Sequence, residues 1–269
     1  MAATGLFLSP SISKLELYCG DASLGTATGF FYKKDDFWFM VTNWHVLSGR
    51  YPKNGQPRHH STAVPDRCRF TYYELAGENL ETKSVTYFLY HPEDGSPRWF
   101  QHPDLGQEVD VAVFQIDPQH LGQAKNIAGE QDSSMFMDLG QEVFIPGFPL
   151  GLSGDGLFAI WKRASIASSL EFGEGQNKKF LVDTASREGM SGSPCLAIAN
   201  WKYYSMNPAT GKVVVVDKPL SWRLLGVYSG RLNPSDSLEA QIGVIWRENL
   251  IEELLNNPAP GSYELKSSI

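Results

Sequence analysis

The chain has 269 residues, enough for a large core in one big domain or two small ones built as a unit. Twenty-three Lys and Arg against 30 Asp and Glu give a net charge of −7, and no basic block suggests a nucleic-acid footprint. The longest apolar runs, such as "FWFMV" and "KVVVV", are strand-sized and exclude a membrane-spanning helix.

The opening "MAATGLFLSPSISKLELYCG" has no basic n-region and no extended apolar stretch, so no secretory leader is expected and the reading is cytoplasmic. Cys19, Cys68 and Cys195 form an odd set without metal-ligand spacing and are expected to be reduced thiols. Strands are predicted at Ile12–Cys19, Ala27–Tyr32, Phe37–Thr42, Arg69–Glu74, Val85–Tyr90 and Val111–Ile116. The segment "LGQAKNIAGEQDSSMFMDLG" then reads as a connection. A second set follows at Glu142–Ile145, Phe158–Ala167, Phe180–Asp183, Cys195–Ala199, Val213–Val216, Arg223–Tyr228 and Gln241–Val244. Short strands closed by Gly, Pro, Asn or Asp indicate an all-β sandwich or barrel. Near the end, Trp246, Leu250, Ile251, Leu254 and Leu255 fall at helical spacing before Pro258, predicting one amphipathic helix. The rest, "PAPGSYELKSSI", reads as a flexible tail. Two long loops, Ser48–Asp66 and Asn200–Thr210, interrupt the strands. His59 and His60 lie in the first, where a solvated loop is favoured over a metal pair; no metal or cofactor is expected.

The chemistry concentrates in "TASREGMSGSPCLA", Thr184 to Ala197, a glycine-rich turn carrying Ser191 and Ser193. A serine hydroxyl needs a base, usually His, and that base needs an orienting acid. All six histidines precede Ser191. This rules out the nucleophile elbow G-x-S-x-G, whose base follows the serine, and position 193 is Ser193 rather than glycine. The order His, Asp, Ser remains. "FWFMVTNWHVLSG" puts His45 at the end of an apolar strand, and "GQEVDVAVFQI" puts Asp110 at the head of another. The separations are 65 residues from His45 to Asp110 and 81 from Asp110 to Ser191, which suits His and Asp in a first barrel and Ser in a second.

Taken together, "TNWHV", "DVAV" and "GMSGSP" resemble the three signature segments of trypsin-like, chymotrypsin-fold serine peptidases, in particular the disulfide-free intracellular and bacterial members. Gly147-Phe148-Pro149 and Gly151 resemble the "GFP-G" segment of that subgroup. The resemblance implies two packed antiparallel six-stranded β-barrels with a C-terminal α-helix. Residues 1–125 would form the first barrel, 126–257 the second with the helix, and 258–269 a tail. It further implies a serine endopeptidase working through an acyl-enzyme, with Ser191 as nucleophile, His45 as general base and acid, and Asp110 as orienting carboxylate. The backbone N–H groups of Gly189 and Ser191 would form the oxyanion hole.

By the same resemblance Ser229 supports Asp110, and "LLGVYSGR" pairs with the substrate backbone. Ala185, Ser229, Gly230, Arg231 and Gln241 would contact substrate, with Ala185 at the pocket base. No carboxylate is found there, which disfavours cleavage after Arg or Lys. Small or apolar side chains are mildly preferred, whereas Arg187 and Arg231 would favour an acidic one. Met190 stands where secreted members place the Asp that pairs with a freed N-terminus, so activation by that route is not expected. The partner implied is a protein or peptide substrate, with no nucleic acid and no membrane, and with room for a regulatory partner protein. Two rivals stay open: a gated or silent binding module on the same fold, and an esterase using the same triad.

Overall fold

A computed structural model describes residues 7–154, 158–170, 178–199, 202–206, 213–217, 221–232 and 241–262. Strands dominate, arranged in chain order as β1 (Ile12–Cys19), β2 (Ala22–Lys34), β3 (Phe37–Thr42), β4 (Arg67–Ala76), β5 (Asn79–Phe88), β6 (Trp99–Gln101) and β7 (Ala112–Ile116). They continue as β8 (Glu142–Gly147), β9 (Ile160–Ile166), β10 (Lys179–Asp183), β11 (Pro194–Ala199), β12 (Lys202–Met206), β13 (Val213–Asp217), β14 (Ser221–Arg231), β15 (Ile242–Arg247) and β16 (Ala259–Pro260). Helix α1 (Trp44–Ser48) follows β3, and α2 (Asn249–Asn256) follows β15.

The second half closes as expected into a six-stranded barrel, β10-β15-β14-β11-β8-β9. The first half is an eight-stranded sheet in the order β16-β6-β7-β3-β2-β1-β4-β5 rather than a six-stranded closure. Its added strands have physical causes. The β4–β5 hairpin pairs residue by residue from Arg67–Phe88 to Ala76–Asn79, and most of β5 faces solvent. At the other edge Ala259 and Pro260 pair with Gln101 and Phe100, so this part of the expected tail is a strand. Beyond it, Gly261 lies against the Trp99 ring, where an added Cβ would stand 2.4 Å from two ring carbons.

Three apolar clusters hold the layers. One fills the first sheet with Leu15, Phe31, Met40, Trp44, Phe70 and Phe114; a second fills the barrel with Val143, Ile145, Phe180, Val182, Met190 and Tyr228. The third joins the two, combining Ile12, Phe30 and Val41 with Leu196, Leu224 and Val227, and takes up Leu250, Ile251 and Leu254 of α2. The predicted apolar stripe of the helix therefore docks as expected, because burying it removes that surface from water. The helix begins later than its periodicity suggests: Trp246 belongs to β15, whose Trp246 pairs with Val227.

Other local expectations shift. The predicted loop Asn200–Thr210 contains β12, which pairs with β13 as a separate two-stranded sheet, so the Val213 strand is not a barrel strand. Cys19, Cys68 and Cys195 carry free thiols. Among the described residues no helix is long and apolar enough to cross a membrane.

Candidate active site

The site lies where the first sheet meets the barrel. His45 sits in α1, a single turn that the sequence had suggested as the end of a strand. Asn43 enters that turn with extended backbone and accepts the Val46 N–H at 3.1 Å, while Gly49 ends it in the left-handed region at φ +65°. The turn aims the imidazole at Asp110, which immediately precedes the buried entry to β7. Asp110 Oδ2 lies 2.7 Å from His45 Nδ1, and Asp110 Oδ1 accepts the His45 backbone N–H at 2.8 Å. Ser229 Oγ donates to the same Oδ2. The Asn43 amide adds a 2.7 Å bond to the Asp110 carbonyl, locking the aspartate backbone to the histidine turn. Motif reading did not assign Asn43 a role, although it stands beside His45.

His45 and Asp110 are nearly removed from water, at 6% and 4% exposure. Burial lowers the His45 pKa below its ordinary value, with Asp110 opposing that shift and Arg58 adding to it. A neutral imidazole with Nδ1–H directed at a carboxylate leaves Nε2 free to accept a proton.

Ser191 is brought to the same place from the barrel side, on the turn between β10 and β11. Its hydroxyl lies 3.5 Å from the Ser229 carbonyl, and no hydrogen bond to His45 forms among the described residues. Ser229 thus touches both halves, through its hydroxyl to Asp110 and its carbonyl to Ser191.

The turn before Ser191 is held open by specific contacts. The Glu188 carbonyl accepts the Leu150 N–H at 2.6 Å instead of folding back on Ser191. Among the described residues, the N–H groups of Gly189 and Ser191 donate to no backbone acceptor. Gly189 has φ +91°, and a Cβ there would stand 2.2 Å from the Phe148 carbonyl oxygen. The "GFPLG" segment is therefore the wall behind this turn. Thr28 of β2 braces it from the first sheet: Thr28 Oγ1 donates to the Gly189 carbonyl at 2.8 Å, and the Thr28 N–H donates to the Ser191 carbonyl at 2.8 Å. Thr28 carries no motif signal, since its role exists only once β2 crosses the turn that carries Ser191. Met190, 1% exposed, is packed in the barrel core, so apolar burial anchors the turn at this position. Ser193 is fully buried, and its hydroxyl has no partner among the described residues.

The other anticipated substrate contacts flank Ser191. Ala185 is exposed, Gly230 is half-buried, and Arg231 is exposed at the end of β14. Gln241 is exposed at the entry to β15, where its carbonyl accepts the Thr184 N–H at 2.9 Å. His59 and His60 stay on the surface of their loop, rings 4.1 Å apart.

A sheet and a closed barrel meet over a buried Asp110–His45 pair, with Ser229 linking that pair to Ser191. The profile of the trypsin-like peptidase domain matches residues 27–204, and the chain belongs to that family. Among solved structures, the serine endoprotease of Yersinia pestis superposes with a TM-score of 0.55 at 12% identity, covering 94% of this chain and 64% of that one. This chain thus spans less than two thirds of that protein, and the likeness concerns the fold. No curated protein sequence matches.

Proposed function

We propose that the chain hydrolyses peptide bonds through an acyl-enzyme, with Ser191 as nucleophile, His45 as general base and acid, and Asp110 as the orienting carboxylate. The observation that supports this most is the chain Ser229 Oγ–Asp110–His45, buried beside a serine whose own turn has two uncommitted N–H groups. In the first step the Ser191 hydroxyl rotates from the Ser229 carbonyl toward His45 Nε2, which takes its proton as Oγ bonds the substrate carbonyl carbon. The negative oxygen is received by the N–H groups of Gly189 and Ser191. Collapse breaks the C–N bond, and the imidazolium returns the proton to the leaving amine. Water then repeats the sequence on the acyl-enzyme, freeing the acid and Ser191. Asp110 orients and stabilises the imidazolium.

In this reading, residues 1–125 bring the base and its carboxylate, 126–257 bring the nucleophile, and the substrate backbone lies along Ser229, Gly230 and Arg231. Gln241 and Ala185 border the side-chain pocket. Three free thiols support a reducing, cytoplasmic setting.

The test is covalent labelling. A fluorophosphonate should mark the native protein, and mapping should place the adduct on Ser191. Ser191→Ala should lose the label, with peptide turnover down by several orders of magnitude. A folded native protein that neither takes the label nor cuts any member of a peptide library would defeat the reading. Labelling accompanied by ester but not amide cleavage would favour an esterase.

A further inference from the structure

The space beside Ser191 has a chemistry that the motifs do not specify. It lies between the segment Thr184–Arg187 and the end of β14. Tyr228, 1% exposed, turns its ring inward, and its hydroxyl hydrogen-bonds the Ser186 hydroxyl. Gly243 makes room for that ring, since a Cβ there would stand 2.6 Å from Tyr228 Cε2. In the serine-peptidase reading, a substrate side chain entering between these two segments would meet this pair of hydroxyls at its floor. Thr184 adds a buried Oγ1 with no partner among the described residues. A wholly apolar side chain placed against it would leave that hydroxyl unsatisfied.

Cations surround the floor. Lys162 of β9 reaches across to donate its ammonium to the Ala185 carbonyl, and burial and the neighbouring Arg187 guanidinium both lower its pKa. Arg187 donates Nη1 to the Ser186 carbonyl at 2.9 Å. Arg231 lies close enough to lower the pKa of the Tyr228 hydroxyl against the effect of burial. None of the three cations has an ion-pair partner among the described residues, although Asp183 and Glu188 are exposed on the same segment. Like charges held together without an anion repel, and an entering carboxylate relieves that repulsion while accepting from the hydroxyls.

Resting on the serine-peptidase reading above, we propose that this pocket takes an acidic side chain, Glu or Asp, from the residue whose carbonyl Ser191 attacks. Lys162 is the residue that determines this specificity, with Arg187 at the rim and Ser186 and Tyr228 limiting depth. This resolves the sequence-based choice between small or apolar and acidic residues toward the acidic one. Lys162 carried no signal in the sequence, because β9 lies far along the chain from the nucleophile turn.

The experiment compares peptidyl diphenyl phosphonates that differ only at the reacting position, carrying Glu, Gln, Ala, Leu or Lys. The Glu probe should inactivate faster than its neutral isostere Gln by about 10–100-fold, the range of one charge-assisted hydrogen bond. Within Lys162→Met the Glu/Gln ratio should fall toward one, and within Arg187→Gln it should fall part of the way. A native ratio near one, a preference for Ala, Leu or Lys, or a Lys162→Met ratio equal to the native one overturns the proposal. A protein inert to these probes and to a plain fluorophosphonate would instead count against the catalytic reading. The pocket is then tested without bond cleavage, by calorimetric titration with hexapeptides ending in Glu or Gln. Tighter binding of the Glu-ended peptide, weakened in Lys162→Met, sustains the proposal; equal binding of the two refutes it.

Discussion

At the residue scale the two serines of the nucleophile turn are separated by what surrounds them. Ser191 is half-buried at the junction, and its hydroxyl faces the Ser229 carbonyl. Ser193, two positions on, is sealed in the interior with a hydroxyl that has no partner among the described residues. A buried hydroxyl without a partner costs about 1–3 kcal/mol of desolvation, so removing it relieves a penalty. Ser193→Ala should therefore keep fluorophosphonate labelling, with an unchanged or raised melting temperature by calorimetry. Loss of labelling in a folded Ser193→Ala protein would count against Ser191 as the nucleophile.

His45 sets the pH behaviour. Burial lowers its pKa from 6.5, so the folded protein holds fewer protons there than the unfolded chain as pH falls through that value. The stability associated with neutral His45 is complete above about 6.5 and is lost progressively below it, toward the folded pKa. Activity that needs the neutral imidazole should rise with an apparent midpoint below 6.5, the value for the free side chain. Labelling rates measured from pH 4 to 8 would give that midpoint; one well above 6.5 would mean that the Asp110 charge outweighs burial.

At the scale of elements, β2 does more than fill a sheet. Through Thr28 it ties the first sheet to the turn that carries Ser191. Thr28 Oγ1 donates to the Gly189 carbonyl and accepts the Phe148 N–H at 3.1 Å, linking the nucleophile turn to the "GFPLG" wall. Thr28→Val keeps the shape and removes both bonds, leaving the Gly189 carbonyl and the Phe148 N–H short of partners. The expected cost is about 1–3 kcal/mol in stability, read by urea denaturation. A fall in labelling rate beyond that explained by unfolding is also expected, because the Gly189 peptide would no longer be held. Thr28→Ser, which keeps the hydroxyl, should recover most of that rate.

At the scale of the whole molecule, the C-terminal segment supports the His45 helix from a distance. Ser262 Oγ accepts from Gln101 Nε2 at 2.7 Å, and Gln101 Oε1 in turn accepts the Trp44 indole N–H at 2.8 Å. Trp44 is the residue next to His45, and its ring packs 6.4 Å from that of Trp99, which Gly261 covers. Ending the chain after Asn257 removes β16, the cover over Trp99 and the Ser262 link together. We expect a clear drop in melting temperature and slower labelling; an unchanged melting temperature would show that the segment carries no weight. Reductant, by contrast, should leave the melting temperature unchanged, since the three cysteines are free.

The sequence by itself determined the strand-rich class, the C-terminal amphipathic stripe and the three catalytic candidates. Each of these is written in local patterns: alternating apolar runs, helical spacing at Leu250, Ile251 and Leu254, and short motifs whose order rules out the nucleophile-elbow arrangement. Tertiary structure decided what depends on distant segments meeting. β2 braces Ser191 through Thr28, and the expected tail becomes β16 against β6. Lys162 arrives at Ala185 from another strand, and Tyr228 reaches Ser186 from across the barrel. None of these pairs is close in sequence, and each of these residue types has many ordinary uses. Only the folding of the sheet and the barrel against each other, which brings strands far apart in the chain to bonding distance, gives these residues their roles.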